Sequence, residues 1–112
     1  MGKLSTHILD QVHGKPATGV RVQLFRDDRL LASVTTNADG RTDAPLLIGD
    51  TFVTGRYRID FFVGDYFAGL RLLDAKRFLD VVPIVFIVDD VAKNYHIPLL
   101  VTPWSYSTYR GS

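Results

Sequence analysis

Alternating apolar and polar residues, repeated in short runs between turn signals, mark this chain as all-β: an antiparallel β-sandwich of the Greek-key kind with one short helix. Two features carry that reading. Segments with period-two patterning recur along the chain, and clusters of Gly, Pro, Asn and Asp separate them at fairly regular intervals. One stretch, residues 66–79, has its apolar residues Leu70, Leu73 and Phe78 at loosely helical spacing, which predicts a short helix connecting two strands.

Residues 4–12 alternate in part, and Gly14, Pro16 and Gly19 break the chain before residues 20–26 alternate cleanly. Asp27-Asp28 forms a turn, residues 30–36 resume an extended pattern, and Asn37-Ala38-Asp39-Gly40 supplies turn chemistry before Arg41. Gly55 opens the next strand, in which Tyr57, Ile59 and Phe61 share one face opposite Arg56, Arg58 and Asp60. Residues 83–88 are dense in β-branched side chains, residues 95–101 follow a polar turn at Asp89-Asp90, and residues 104–109 form a last strand after Pro103. The total is seven or eight strands.

A chain of 112 residues fits one domain, residues 1–112, and leaves no room for a separate cofactor-binding module. With 46% hydrophobic and 22% charged residues it has material for a core and too much of it for disorder. Thirteen Lys and Arg against twelve Asp and Glu leave a net charge of +1, and the basic residues are scattered rather than striped, so nucleic acid is not the expected partner. The absence of cysteine excludes disulfides, thiolate nucleophiles and Cys-ligated zinc. Residues 1–7 carry no apolar signal region, and the longest apolar run, residues 81–88, is interrupted by Pro83 and far short of the ~20 residues of a membrane span. The expectation is a cytoplasmic protein without membrane contact.

Strand parity then sorts the polar residues. Tyr95, Ile97 and Leu99 face one way and His96 the other, with Asn94 and Pro98; Leu4, Thr6 and Ile8 share one side, which leaves His7 on the opposite side with Ser5 and Leu9. Ser105, Ser107 and Tyr109 line one face of the last strand, opposite Trp104 and Tyr106. By itself an outward histidine on a strand is more often an ordinary exposed residue than a catalyst. His7, His13 and His96 are the residue types of a three-His zinc site, but no closely spaced ligand pair such as His-x-His occurs, so no metal and no other cofactor is expected. A Gly-x-Ser-x-Gly elbow, a phosphate-binding loop and a dinucleotide fingerprint are missing from the sequence.

Four segments go beyond periodicity. Leu4-Ser5-Thr6-His7-Ile8-Leu9-Asp10 followed by Gly14-Lys15-Pro16-Ala17, Asp39-Gly40-Arg41 with Pro45-Leu46-Leu47, Tyr95-His96-Ile97-Pro98-Leu99-Leu100, and the ending Tyr106-Ser107-Thr108-Tyr109-Arg110-Gly111-Ser112 together resemble the 5-hydroxyisourate hydrolase family of transthyretin-like proteins. The Tyr-Arg-Gly-Ser ending is similar to the one that separates the hydrolases from the hormone-carrying transthyretins. The resemblance implies a sandwich of two four-stranded sheets with a short helix, assembled as a homotetramer, a dimer of dimers with active sites in the channel between the dimers. It also implies hydrolytic opening of 5-hydroxyisourate to 2-oxo-4-hydroxy-4-carboxy-5-ureidoimidazoline in urate degradation, the work of a cyclic amide hydrolase.

On that resemblance His7, Arg41, His96 and Ser112 are the expected catalytic residues, with His7, Arg41 and Tyr109 also touching substrate. A neutral imidazole has an unperturbed pKa of about 6.5, near the working pH at which a general base is most effective. His96 is the expected base with His7 as partner, one ring neutral and one protonated, since two adjacent imidazoles are costly to charge together. Arg41 offers a permanent charge and a planar fork of donors for substrate and oxyanion. Tyr109 would meet the substrate ring, and Ser112 would act through its hydroxyl or a terminal carboxylate. Lys3, Arg56 and Arg58 are read as solvated surface. The alternative function is a transthyretin-like carrier that binds a small ligand without transforming it, and a third reading, an adhesion module, has only the fold in its favour.

Overall fold

The structure is a computed structural model and describes residues 2–70 and 78–112. Its strands are β1 (Lys3–Asp10), β2 (Lys15–Pro16), β3 (Arg21–Arg26), β4 (Arg29–Thr35), β5 (Leu47–Ile48), β6 (Gly55–Phe61), β7 (Val82–Val88), β8 (Tyr95–Val101) and β9 (Tyr106–Thr108), with helix α1 (Val63–Gly69) between β6 and β7. They form two stacked sheets, ordered β2-β1-β8-β9 with β5 also paired to β1, and β4-β3-β6-β7. This is the expected sandwich. One pairing departs from a purely antiparallel scheme: β1 and β8 run parallel, from Leu4 beside Tyr95 to Asp10 beside Val101. Parallel neighbours need a long crossover, and here the chain between them builds the entire second sheet.

Alternation does what the sequence implies. Leu4, Ile8, Leu99 and Val101 of the first sheet and Val22, Leu24, Tyr57, Ile59 and Phe61 of the second are all fully buried and meet between the sheets. The two central turn residues Asp27 and Asp28 both have positive φ, 50° and 66°, as a two-residue hairpin between right-twisted strands demands. The helix begins at Val63, not at the expected Tyr66, because Val63, Gly64, Tyr66 and Phe67 supply its buried face. Gly64 lies so close to the Asp80 backbone that a Cβ there would sit 2.9 Å from Asp80 Cα. Residues 71–77 of the expected helix lie outside the described residues, and Phe78 and Leu79 belong to no helix. At two residues each, β2 and β5 are too short for any alternation to announce them.

One polar cluster is built into the core. Asp10, 1% exposed, accepts hydrogen bonds from the Val12 and His13 backbone N–H groups, from His13 Nδ1 at 2.7 Å and from the Tyr66 hydroxyl at 2.7 Å. Burial raises the Asp10 pKa, but the hydrogen bonds from Tyr66 and His13 and the His13 charge outweigh it, so the carboxyl is held below its ordinary value. The same contact and burial push the Tyr66 hydroxyl far up. Asp10 thereby ties the end of β1 to α1. His13 is spent on this contact, which answers where the third histidine goes.

Replacing Asp10 with Ala strands the Tyr66 hydroxyl and two backbone donors, and should cost about 3 kcal/mol in chemical unfolding. The sign of the pH effect follows from the depressed folded-state value. Asp10 contributes stability above the ordinary carboxylate range, and this stability is lost as pH falls from about 4 through the lower native value. Wild type should therefore lose more stability than Asp10→Asn over that acid range, as read by unfolding midpoints at stepped pH.

Candidate active site

The outer face of the first sheet carries the predicted residues in two rows. Ser5 stands directly opposite His96 and His7 directly opposite Pro98 across the parallel pairing. On the far edge of β8, the register that pairs Leu99 with Thr108 continues to pair His96 with Gly111, which sets Tyr109 beside Pro98. On the far edge of β1, His7 bridges to Arg41. One row therefore runs Arg41, His7, Pro98, Tyr109, and the next Ser5, His96, Gly111. Residues directly opposite in a sheet share a face, so these side chains emerge on one side, turned away from the core.

Two glycines permit the close fit. Gly40 has φ +71°, and a Cβ there would lie 2.4 Å from the Ile8 carbonyl oxygen, which accepts no side chain so near. The Gly40 carbonyl in turn receives the Ile8 N–H at 2.8 Å, fixing Arg41 alongside His7. Asn37 shapes the turn before it: its Oδ1 accepts the Asp39 and Arg41 N–H groups, at 2.9 and 3.2 Å. At the other edge a Cβ on Gly111 would stand 3.1 Å from His96 Cδ2, so the glycine lets the chain end lie against the imidazole. Gly111 N–H donates to the His96 carbonyl at 2.7 Å. Arg110 adds a clamp, its guanidinium stacked 4.2 Å over the Tyr95 ring.

Both rings are held below the ordinary imidazole value. Burial and then the Arg41 charge depress His7, opposed in part by a backbone hydrogen bond at Asp39 and the Asp39 carboxylate. Burial, Arg41, His7 and Lys3, in that order, depress His96. Both shifts favour the neutral ring, so neither histidine is marked out as the protonated partner of the pair. Among the described residues no carboxylate forms a salt bridge with Arg41, so its guanidinium is available to a ligand.

The structure brings together His7, Arg41 and His96, sets Tyr109 at the end of their row, 62% exposed, and places Ser112 one residue beyond Gly111. Ser107, opposite Leu100, shares the face; Ser105 does not, since it is bound into a turn with Thr102. His13 is held by Asp10, away from the pair in its bonding. Lys3 is exposed, as read from the sequence, yet close enough to His96 to act on it electrostatically, and it lines a shallow depression of about 190 Å³ with Ser5, Arg41 and the loop after it. One surface reading needs correction. Arg58 is not simply solvated: it stacks 4.3 Å over Phe25 and bonds Asp60 and Asp28.

Ser5 is the residue that sequence reasoning passed over. Its Oγ lies 2.8 Å from His96 Nδ1. Parity placed it on the His7 face, but its partner lies 91 positions away and is set by the register alone.

Comparison with known proteins adds the family. The model of the HIUase/Transthyretin family matches residues 4–111. A 5-hydroxyisourate hydrolase from Deinococcus radiodurans is 52% identical over 97% of this chain and 95% of its own. Among solved structures, 5-hydroxyisourate hydrolase from Klebsiella pneumoniae superposes with a TM-score of 0.87 at 38% identity over the full length of both chains. An (S)-allantoin synthase superposes with a TM-score of 0.92 at 42% identity, and this chain, 99% covered, spans 44% of that longer one. Sea bream transthyretin in complex with thyroxine shares the fold, with a TM-score of 0.88 over 97% of this chain and 94% of its own, at 27% identity. With the fold, the four motifs and a family match across nearly its whole length in agreement, the chain belongs to the HIUase/Transthyretin family.

Proposed function

We propose that the protein is a hydrolase that opens the six-membered ring of 5-hydroxyisourate in urate degradation, in the cytoplasm and as a homotetramer. The observation that carries this reading is the meeting on one sheet face of two imidazoles, both shifted toward the neutral form, with a guanidinium that has no carboxylate partner among the described residues. A carrier needs a cavity for its ligand but no base. The names of the relatives that resemble this chain over its full length support the hydrolase.

In the mechanism His96, neutral at working pH, takes a proton from water as the water oxygen attacks the ring amide carbonyl. The negative charge that develops on the carbonyl oxygen is met by the Arg41 guanidinium, with the neutral His7 ring donating an N–H beside it. Collapse of the tetrahedral adduct breaks the C–N bond, and the proton held on His96 passes to the leaving nitrogen. One histidine thus serves as base and then acid, which removes the need for a second ring that starts out protonated. Tyr109 and the Ser112 hydroxyl border the substrate from the chain end.

Two features support the assembly. The concavity that Ser5 and Arg41 line on this face is a shallow one of about 190 Å³ that does not reach His7 or His96, and a neighbouring copy packed on the face would give the substrate an opposite wall. Among the described residues β7 ends its sheet with seven residues of open backbone edge, and Val85 and Ile87, 58% and 59% accessible, leave the adjoining outer face apolar, a combination that suits pairing with a second copy.

Ultraviolet absorbance of freshly generated 5-hydroxyisourate tests the reaction: decay should be rapid with the protein, resist chelator, and slow by about 10²-fold or more in His96→Ala and Arg41→Ala. Decay no faster than the spontaneous reaction, from folded protein that still binds an oxidised purine, would make it a carrier. The acid limb of kcat/KM should lie below pH ~6.5, because burial and Arg41 lower the His96 value, and Arg41→Gln should move that limb to higher pH along with the loss of rate. Light scattering should report a tetramer, and the paired change Val85→Glu with Ile87→Lys should yield smaller species.

A further inference from the structure

The His96 ring is confined on two sides. Ser5 Oγ stands 2.8 Å from Nδ1, and the Gly111 backbone lies against the Cδ2 edge, where even a methyl group would come within 3.1 Å. Neither contact comes from a mobile loop: Ser5 is held by the β1 and β8 ladder and Gly111 by paired backbone bonds to His96. Nε2 makes no hydrogen bond among the described residues. A neutral imidazole has one N–H and one lone pair, and the partner at one nitrogen decides which the other presents.

We propose that Ser5 is a positioning residue: its hydroxyl accepts the Nδ1–H of His96 and leaves Nε2 as the lone-pair nitrogen that meets the water. The opposite arrangement, with Ser5 donating to Nδ1, puts the proton on Nε2 and leaves no base at the open side of the ring. When Nε2 takes the water's proton, the Nδ1–H···Oγ bond is kept and strengthened, because its donor has become charged. Ser5 thus selects the productive tautomer and stabilises the imidazolium without touching substrate. Its part is that of the orienting group behind a histidine base, here a hydroxyl where other sites use a carboxylate or a backbone carbonyl. A neutral acceptor suits this face, since a carboxylate would raise the ring's proton affinity and work against the burial and the Arg41 and Lys3 charges that lower it. The inference rests on the hydrolase reading for its catalytic meaning, while the tautomer it names is a property of the protein alone.

Nitrogen-15 NMR of the His96 ring at neutral pH should show Nδ1 protonated and Nε2 bare in wild type and in Ser5→Thr, which keeps the hydroxyl on a residue suited to a strand. In Ser5→Ala the ring should shift toward the Nε2–H form. Turnover of 5-hydroxyisourate by Ser5→Ala should fall in kcat by roughly tenfold or more with KM within about twofold, its acid limb should move to lower pH, and Ser5→Thr should restore both. An Nε2–H ring in wild type, or unchanged kcat with an unchanged tautomer in Ser5→Ala, overturns the proposal. The spectrum needs no substrate, so failure to open 5-hydroxyisourate together with a Ser5-dependent Nδ1–H form would sink the proposed reaction and leave the Ser5 to His96 coupling standing.

Discussion

The parallel register of β1 against β8 is the constraint on which the site depends. It aligns Leu4, Thr6 and Ile8 with Tyr95, Ile97 and Leu99 on the core side, and by the same stroke aligns Ser5 and His7 with His96 and Pro98 on the outer side. Slipping β8 by one residue would turn His96 inward and Ile97 outward, burying an imidazole and exposing an aliphatic side chain. Each exchange costs a few kcal/mol, from unpaired polar burial and from lost apolar burial. The register is therefore set by hydrophobic energetics, and the site receives its geometry as a consequence. Thr6 is consistent with this: the only polar residue of β1 that points inward before Asp10 satisfies its hydroxyl on the Ile97 carbonyl at 2.6 Å.

Electrostatics on that face are organised by Arg41. Its charge lowers both histidines after burial has begun to do so, and no acidic partner among the described residues cancels it. An unpaired cation beside two bases keeps them unprotonated and remains free to meet a developing anion. The cost is local repulsion, which the sandwich tolerates because Arg41 is anchored through its backbone, by the Ile8 to Gly40 hydrogen bond and the Asn37 turn. A backbone-anchored charge of this kind leaves the guanidinium itself uncommitted.

Much of this was legible in the sequence, for reasons that differ by residue. The inward sets on β1, β6 and β8 follow from period two, and with them the outward direction of His7 and His96. Arg41 was legible as a residue leaving a turn, though only the resemblance to a known family gave it a purpose. What escaped was whatever depends on pairing between distant strands. The Ser5 contact to His96, the parallel sense of β1 and β8 and the two-residue ladders β2 and β5 have no local signature. The helix start was misplaced because the helical spacing was read only from residue 66 onward, and the burial of Val63 and the close approach of Gly64 to residue 80 are tertiary facts. His13 and Arg58 read as uncommitted because the side chains that claim them, Tyr66-linked Asp10 and Phe25 with Asp28, are brought near only by turns and neighbouring strands.

The most direct test is the position of a bound, stable analogue of 5-hydroxyisourate in a crystal structure of the assembled protein. The account predicts the analogue on the outer face of β1 and β8, with a ring carbonyl bonded to the Arg41 guanidinium and the reacting carbon on the Nε2 side of His96. An analogue seated in the concavity of about 360 Å³ lined by Arg56, Arg58 and Val85 on the second sheet, with the His7 and His96 face empty, would contradict it.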